Sequence, residues 1–227
     1  MEKLTEDWSF EEVLEPETGV SYNNYFYKGR PAHRLIVDTP KSRVLASYIA
    51  IEKDLRSGIF WLENILEIYK DSEENNGPSG YFHNKQDRHI HNLTKGLFVA
   101  SLTFYGKCFG SSEGRSTKLE KANLDEQFHP IHDIAMKYRH NFAAHSGAEL
   151  LETTNIVTAL DPKKRGKPYL AWELNQPDTF GMSTIRDLID LFEHSRKFAL
   201  EKRELLLDKV YEQDVLGKGM KYWYKQV

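Results

Sequence analysis

The sequence predicts an all-α protein, an up-and-down helical bundle with one inserted β-hairpin. Three observations carry this. Val44, Tyr48, Ile51, Leu55, Leu62, Ile65 and Tyr69 recur at three- and four-residue steps or multiples of them, the period of one helix face. Leu93, Leu97, Ala100, Phe104 and Cys108 line one face, while Phe98, Val99, Leu102 and Tyr105 fill others. A helix that is apolar most of the way round belongs at the centre of a bundle. Ile185, Leu188, Phe192, Ala199 and Leu206 then form the stripe of a last long helix.

Residues 1–40 read as an arm. Trp8, Phe10, Tyr22, Tyr25, Phe26 and Tyr27 give it apolar anchors without a sustained period, and Leu35-Ile36-Val37 reads as a short strand. Thr39-Pro40 opens the first long helix, Thr as N-cap and Pro pre-set at the first helical position. That helix runs from about 40 to 70 and ends before Asn75-Asn76-Gly77-Pro78. Gly58 occupies the skipped step of its stripe, on the buried seam. A Gly there costs ~1 kcal/mol against Ala and permits close approach of a neighbour.

A second long helix is expected from near Asn84 to Phe109, broken by Gly110-Ser111-Ser112-Glu113-Gly114, with a short helix near Ser116 to Lys121. A further helix starts between Asp125 and Pro130 and carries Ile131, Ile134, Ala135, Tyr138 and Phe142 on one stripe, with Gly147 as its terminator. Thr153–Ala159 and Tyr169–Leu174, rich in β-branched and aromatic residues, flank Asp161-Pro162-Lys163-Lys164-Arg165-Gly166-Lys167-Pro168 and read as the hairpin. The last helix runs from about 183 to 212, followed by a tail with Tyr222-Trp223-Tyr224. The expected organisation is an arm over 1–40, a bundle over 41–212 with its hairpin at about 152–175, and a tail over 213–227.

With 227 residues and 40% hydrophobic content, the chain can bury one sizeable core. Its net charge of −3 argues against nonspecific coating of nucleic acid, which takes a basic excess. Any RNA contact must come from a local patch. The single Cys108 suits a reducing compartment. Met1 to Asp7 is polar and acidic with no apolar signal core, and no stretch is long enough to span a bilayer, so a cytoplasmic protein without a membrane is expected.

The chemistry concentrates in Tyr138-Arg139-His140-Asn141-Phe142-Ala143-Ala144-His145-Ser146-Gly147. On one ideal helix the side chains of Arg139 and His145 diverge by ~120° and lie ~9 Å apart along the axis, whereas Asn141 reaches His145 at i, i+4. For both to act on one atom, the Arg must curl round or a second copy of the helix must supply the partner. His carries protons near neutral pH, and Arg binds phosphate through a planar, permanently charged fork. The bland reading, a His capping the helix end and an Arg in an ion pair, stands beside this.

The spacing of an Arg, a polar residue, four further residues and a His resembles the signature of the HEPN superfamily, all-helical proteins of which many are metal-independent ribonucleases. The run Phe104-Tyr105-Gly106-Lys107-Cys108-Phe109 is similar to uncharacterised bacterial members of that group. The resemblance implies an endoribonuclease in which Arg139 and His145 of two protomers meet across a homodimer cleft, in a stress or phage-defence setting, with an antitoxin or other protein as a partner. It also implies that His140 orients the substrate or the catalytic groups. Asn141 holds the His145 ring if the i, i+4 contact forms. Both read equally well as solvated surface residues. The alternative from another class is a catalytically silent helical module that binds a protein or RNA.

His132, seven residues before Arg139, shares its face and is expected to line the same groove. Lys163, Lys164, Arg165 and Lys167 crowd the hairpin tip, either as phosphate contacts or as a solvated turn. His129, His132 and Asp133, and separately His83, His89 and His91, look like metal clusters but lack the matched spacing of zinc sites. No cofactor and no metal are expected.

Overall fold

A computed structural model describes residues 6–76, 85–111, 113–140, 153–175 and 181–227. Among them about 59% are helical and 15% lie in strands, arranged as five α-helices and two small antiparallel sheets. The chain is therefore mixed α/β, which corrects the expectation of an all-α bundle.

The correction originates in the N-terminal residues. Strands β1 (Trp8–Leu14), β2 (Ser21–Tyr27) and β3 (Arg30–Pro31) form an antiparallel sheet in sequence order. Trp8 pairs with Tyr27 and Phe10 with Tyr25, ring centroids 5.1 and 6.3 Å apart. Cross-strand aromatic pairs of this kind stabilise a small sheet with little core beneath it. They give no clean alternation of apolar and polar residues, which is why the pattern reads as an arm. Lys28 and Gly29 both have positive φ, 48° and 74°, the requirement of the two-residue turn that joins β2 to β3. Leu35-Ile36-Val37 lies outside the strands.

Two compact units emerge. The first joins Met1–Ser42 to Leu206–Val227, so the arm and the tail, read separately in the sequence, belong together. Buried Asp214 ties them, accepting from Thr39 Oγ1 at 2.5 Å and Lys41 Nζ at 3.3 Å. The Thr39 hydrogen bond, helped by Lys41, holds that carboxyl below its ordinary range. Helix α1 (Pro40–Asn76) starts where the sequence indicates. The Ser42 backbone N–H donates to Thr39 Oγ1 at 3.1 Å and the Thr39 N–H to Ser42 Oγ at 2.9 Å, a reciprocal cap.

The second unit, Arg43–Leu205, holds the main core. Helices α2 (Lys85–Phe109), α3 (His129–Tyr138) and α4 (Met182–Lys209) contribute Phe98, Leu102, Ala135, Leu188 and Phe192 to it, against Ile51, Leu55 and Leu62 of α1. Gly58 is buried on this seam as expected. A Cβ there would sit 2.8 Å from Phe192 Cε2, so the missing side chain is what admits the ring. The helix expected near Ser116 to Lys121 is a single 3-10 turn at Lys121–Asn123, and another at Glu126–Phe128 leads into α3. Strands β4 (Thr153–Ala159) and β5 (Tyr169–Asn175) make the expected hairpin, Ile156 opposite Trp172. The α4 path continues as a π-helical segment, Val210–Leu216, before the short α5 (Met220–Trp223). No helix among the described residues is long and apolar enough to cross a membrane.

Candidate functional site

Arg139 is the C-cap of α3, still helical at φ −56° and ψ −44°, its N–H reaching Ala135 O and Met136 O. The backbone passes there into π-helical geometry through His140. Behind it, Tyr138 packs edge-on against Phe98 of α2, centroids 6.2 Å apart, which fixes the rotation of the helix end. The Arg139 side chain then lies across α2 at buried Gly106. A Cβ on Gly106 would be 2.9 Å from Arg139 Cγ and Nε and 3.0 Å from Cδ. Any other residue at 106 would push the arginine stem away.

The side chain is thus half-buried along its length. Among the described residues no carboxylate, carbonyl or ring pairs with its guanidinium. A cation held against a helix with no counter-charge among the described residues is the electrostatic state that an anionic ligand satisfies. His140, the next residue, is exposed. Asn141 and His145 lie outside the described residues.

His132 does not share an open groove with Arg139. It is 7% exposed, and its Nδ1 is 2.7 Å from the Tyr105 hydroxyl, with Phe109 packed against the ring at 4.6 Å. Tyr105 is itself stacked on Phe192, centroids 4.5 Å apart and 7° from parallel. Burial lowers the His132 pKa, against an opposing pull from Asp133, and burial raises that of Tyr105. Both groups are held neutral by the core, a shape-specifying pair rather than a proton relay.

The metal-like grouping at the start of α3 is spent on local structure. Lys121 Nζ donates to both Asp133 oxygens at 2.7 Å, and that bond lowers the carboxyl's pKa. His129 Nε2 meets Leu124 O at 3.2 Å. Among the described residues no three His, Cys, Asp or Glu side chains are grouped to hold a metal. Cys108 is buried with Sγ 3.2 Å from Phe104 O, and burial pushes its thiol up to about 12, far from a nucleophile's range.

Lys163, Lys164, Arg165 and Lys167 are all exposed at the hairpin tip. The turn is held by Asp161, whose carboxylate accepts the Lys163 N–H at 2.9 Å and the Arg165 N–H at 3.0 Å. Those backbone bonds draw its pKa down. Lys164 takes φ 55° to complete the turn. The cations therefore project from an ordered loop.

Sequence reasoning did not find Gly106 as the seat of Arg139 or Tyr105 as the partner of His132. A signal was present for the first. Gly106 is the small residue of the run Phe104 to Phe109, and a Gly inside a helix marks close approach of something else. Comparison of the chain with family models, with curated proteins and with solved structures gives no match in any of the three.

Proposed function

We propose that the chain is a metal-independent endoribonuclease of HEPN type, acting as a homodimer through Arg139 and His145. The observation that carries this reading is the guanidinium of Arg139, laid over Gly106 at the end of α3 with no partner among the described residues. The Arg-polar-x4-His spacing supplies the second group. In the reaction, His145 takes the proton of a ribose 2′-OH, whose oxygen attacks the adjacent phosphorus. The 5′-oxygen leaves with a proton from a general acid, giving a 2′,3′-cyclic phosphate and a 5′-OH. Arg139 binds the phosphorane oxygens through its fork, which neutralises the charge that develops there.

The test is cleavage of an end-labelled RNA and the thermal midpoint, measured on the same preparations. His145→Ala is expected to abolish cleavage with the midpoint unchanged. Arg139→Lys is expected to lose on the order of a hundredfold, because an ammonium cannot reproduce bidentate contact. Light scattering is expected to give a dimer. Retained cleavage in His145→Ala would sink the mechanism.

A second reading, a silent binding module, is favoured by one observation. Ile156 and Trp172 face each other across the hairpin and are 70% and 76% exposed, an apolar pair open to a partner. Wild-type protein that cleaves no RNA under any condition, with a partner captured through Trp172, would favour it.

A further inference from the structure

The arm-and-tail unit contains a cavity that neither the Arg139 site nor the hairpin uses. Its volume is about 780 Å³, inside the range of roughly 300–1,000 Å³ typical of small-molecule sites. The sequence builds it in three steps. Register sets Trp8, Tyr27 and Arg30 side by side across β1, β2 and β3, in one row. The positive-φ pair Lys28 and Gly29 makes the tight turn that brings Arg30 back beside Tyr27. On the tail side, Gly219 at φ 72° reverses the chain, and the Trp223 indole N–H donates to Val215 O at 2.9 Å. That bond satisfies the one polar atom of the indole and leaves its ring as apolar wall.

The lining is aromatic and aliphatic, with two basic side chains, Arg30 and His33, and no Asp or Glu side chain. Among the described residues the Arg30 guanidinium has no hydrogen-bond or ion-pair partner. An apolar wall with an unopposed guanidinium at one side is complementary to a molecule with the same asymmetry. We propose that this cavity binds a small organic acid, an apolar body carrying one anionic head, with the body between Trp8, Tyr27 and Trp223 and the head on Arg30. The site is independent of the ribonuclease reading and stands or falls separately.

Titration of the full chain with 8-anilinonaphthalene-1-sulfonate, an aromatic anion whose fluorescence rises in apolar surroundings, tests it. One saturable site per chain is expected, emptied by dodecanoate at lower concentration than by dodecanol. Arg30→Gln is expected to weaken the sulfonate by about fivefold or more, while the uncharged N-phenyl-1-naphthylamine binds as before. Arg30→Lys is expected to restore most of the difference. Arg30 is exposed, so these variants keep the sheet, and an unchanged circular dichroism melt checks this. Equal sulfonate affinity in wild type and Arg30→Gln would overturn the proposal. So would multiple weak sites, or no binding at all.

Discussion

Gly58 and Gly106 are both buried in the interior of long helices, and both exist to admit a side chain from another helix. What each admits differs. Gly58 receives the ring of Phe192, a rigid group backed by Tyr105 in a stack at 4.5 Å. Gly106 receives the stem of Arg139, a flexible chain ending in a charge that has no partner among the described residues. The same device serves packing in one place and presentation of a cation in the other. Adding one methyl group to each position separates the two roles.

The largest effect on stability is expected at Gly58→Ala. The new Cβ would lie 2.8 Å from Phe192 Cε2, and the ring cannot retreat through Tyr105. Overpacking of this kind costs about 1–3 kcal/mol, against about 1 kcal/mol regained from helix propensity. A net loss of up to about 2 kcal/mol in urea unfolding is expected. No loss would mean that the seam is looser than the distances indicate.

Next comes the core behind Arg139. His132 is held neutral by burial, with its pKa below the ordinary 6.5. The unfolded chain therefore binds a proton that the folded one resists. The stability associated with neutral His132 is complete above about pH 6.5 and is lost as pH falls from there toward the lowered folded value. His132→Gln keeps a neutral hydrogen-bonding partner for Tyr105. It is expected to flatten the decline in thermal midpoint between about pH 7 and 5. An unaltered decline would assign the acid sensitivity to other groups.

Gly106→Ala is expected to change stability by less than about 1 kcal/mol, because propensity is gained and the arginine stem moves aside. On the proposed ribonuclease reading its effect is expected in RNA cleavage, with a loss of about tenfold as the fork leaves its position. A large stability loss with normal cleavage would make Gly106 a packing residue like Gly58 and remove the support it gives Arg139.

How much of this the sequence discloses depends on the range of the forces involved. The three long helices are legible because their stripes are periodic over many turns, and α1 opens at Pro40 because Thr39 and Ser42 cap locally. The hairpin is legible from β-branched runs around a turn. The N-terminal sheet is not, because Trp8 and Tyr27 find each other across a turn and leave no alternation behind. At the candidate site, a helix carrying Arg139 is legible from spacing, while its expected terminator, Gly147, lies outside the described residues. Its seat on Gly106, and the inward turn of His132 to Tyr105, depend on how α2 and α3 pack. A shared helical face indicates which residues align, not which of them the next helix covers.

The smallest effect on stability is expected at the hairpin tip, where charge and order are separable. Neutralising Lys163, Lys164, Arg165 and Lys167 to Gln removes exposed cations and one exposed ion pair, Arg165 to Asp161 at 3.6 Å, which contributes little, so the midpoint should hold within about 0.5 kcal/mol. If the tip touches phosphate, RNA affinity falls and its dependence on salt becomes shallower, by up to about 0.7 in logarithmic slope for each phosphate that is no longer neutralised. Asp161→Ala does the reverse. It keeps every cation but removes the acceptor of the Lys163 and Arg165 N–H groups, so the loop loses the order that aims them. Affinity is then expected to fall without much change in slope, since the same counterions are still released when the tip binds. Binding of a fluorescent single-stranded RNA across a salt series distinguishes the two variants. If neither variant alters affinity or slope, the tip is a solvated turn, and the proposed RNA contact is left to the Arg139 end of α3.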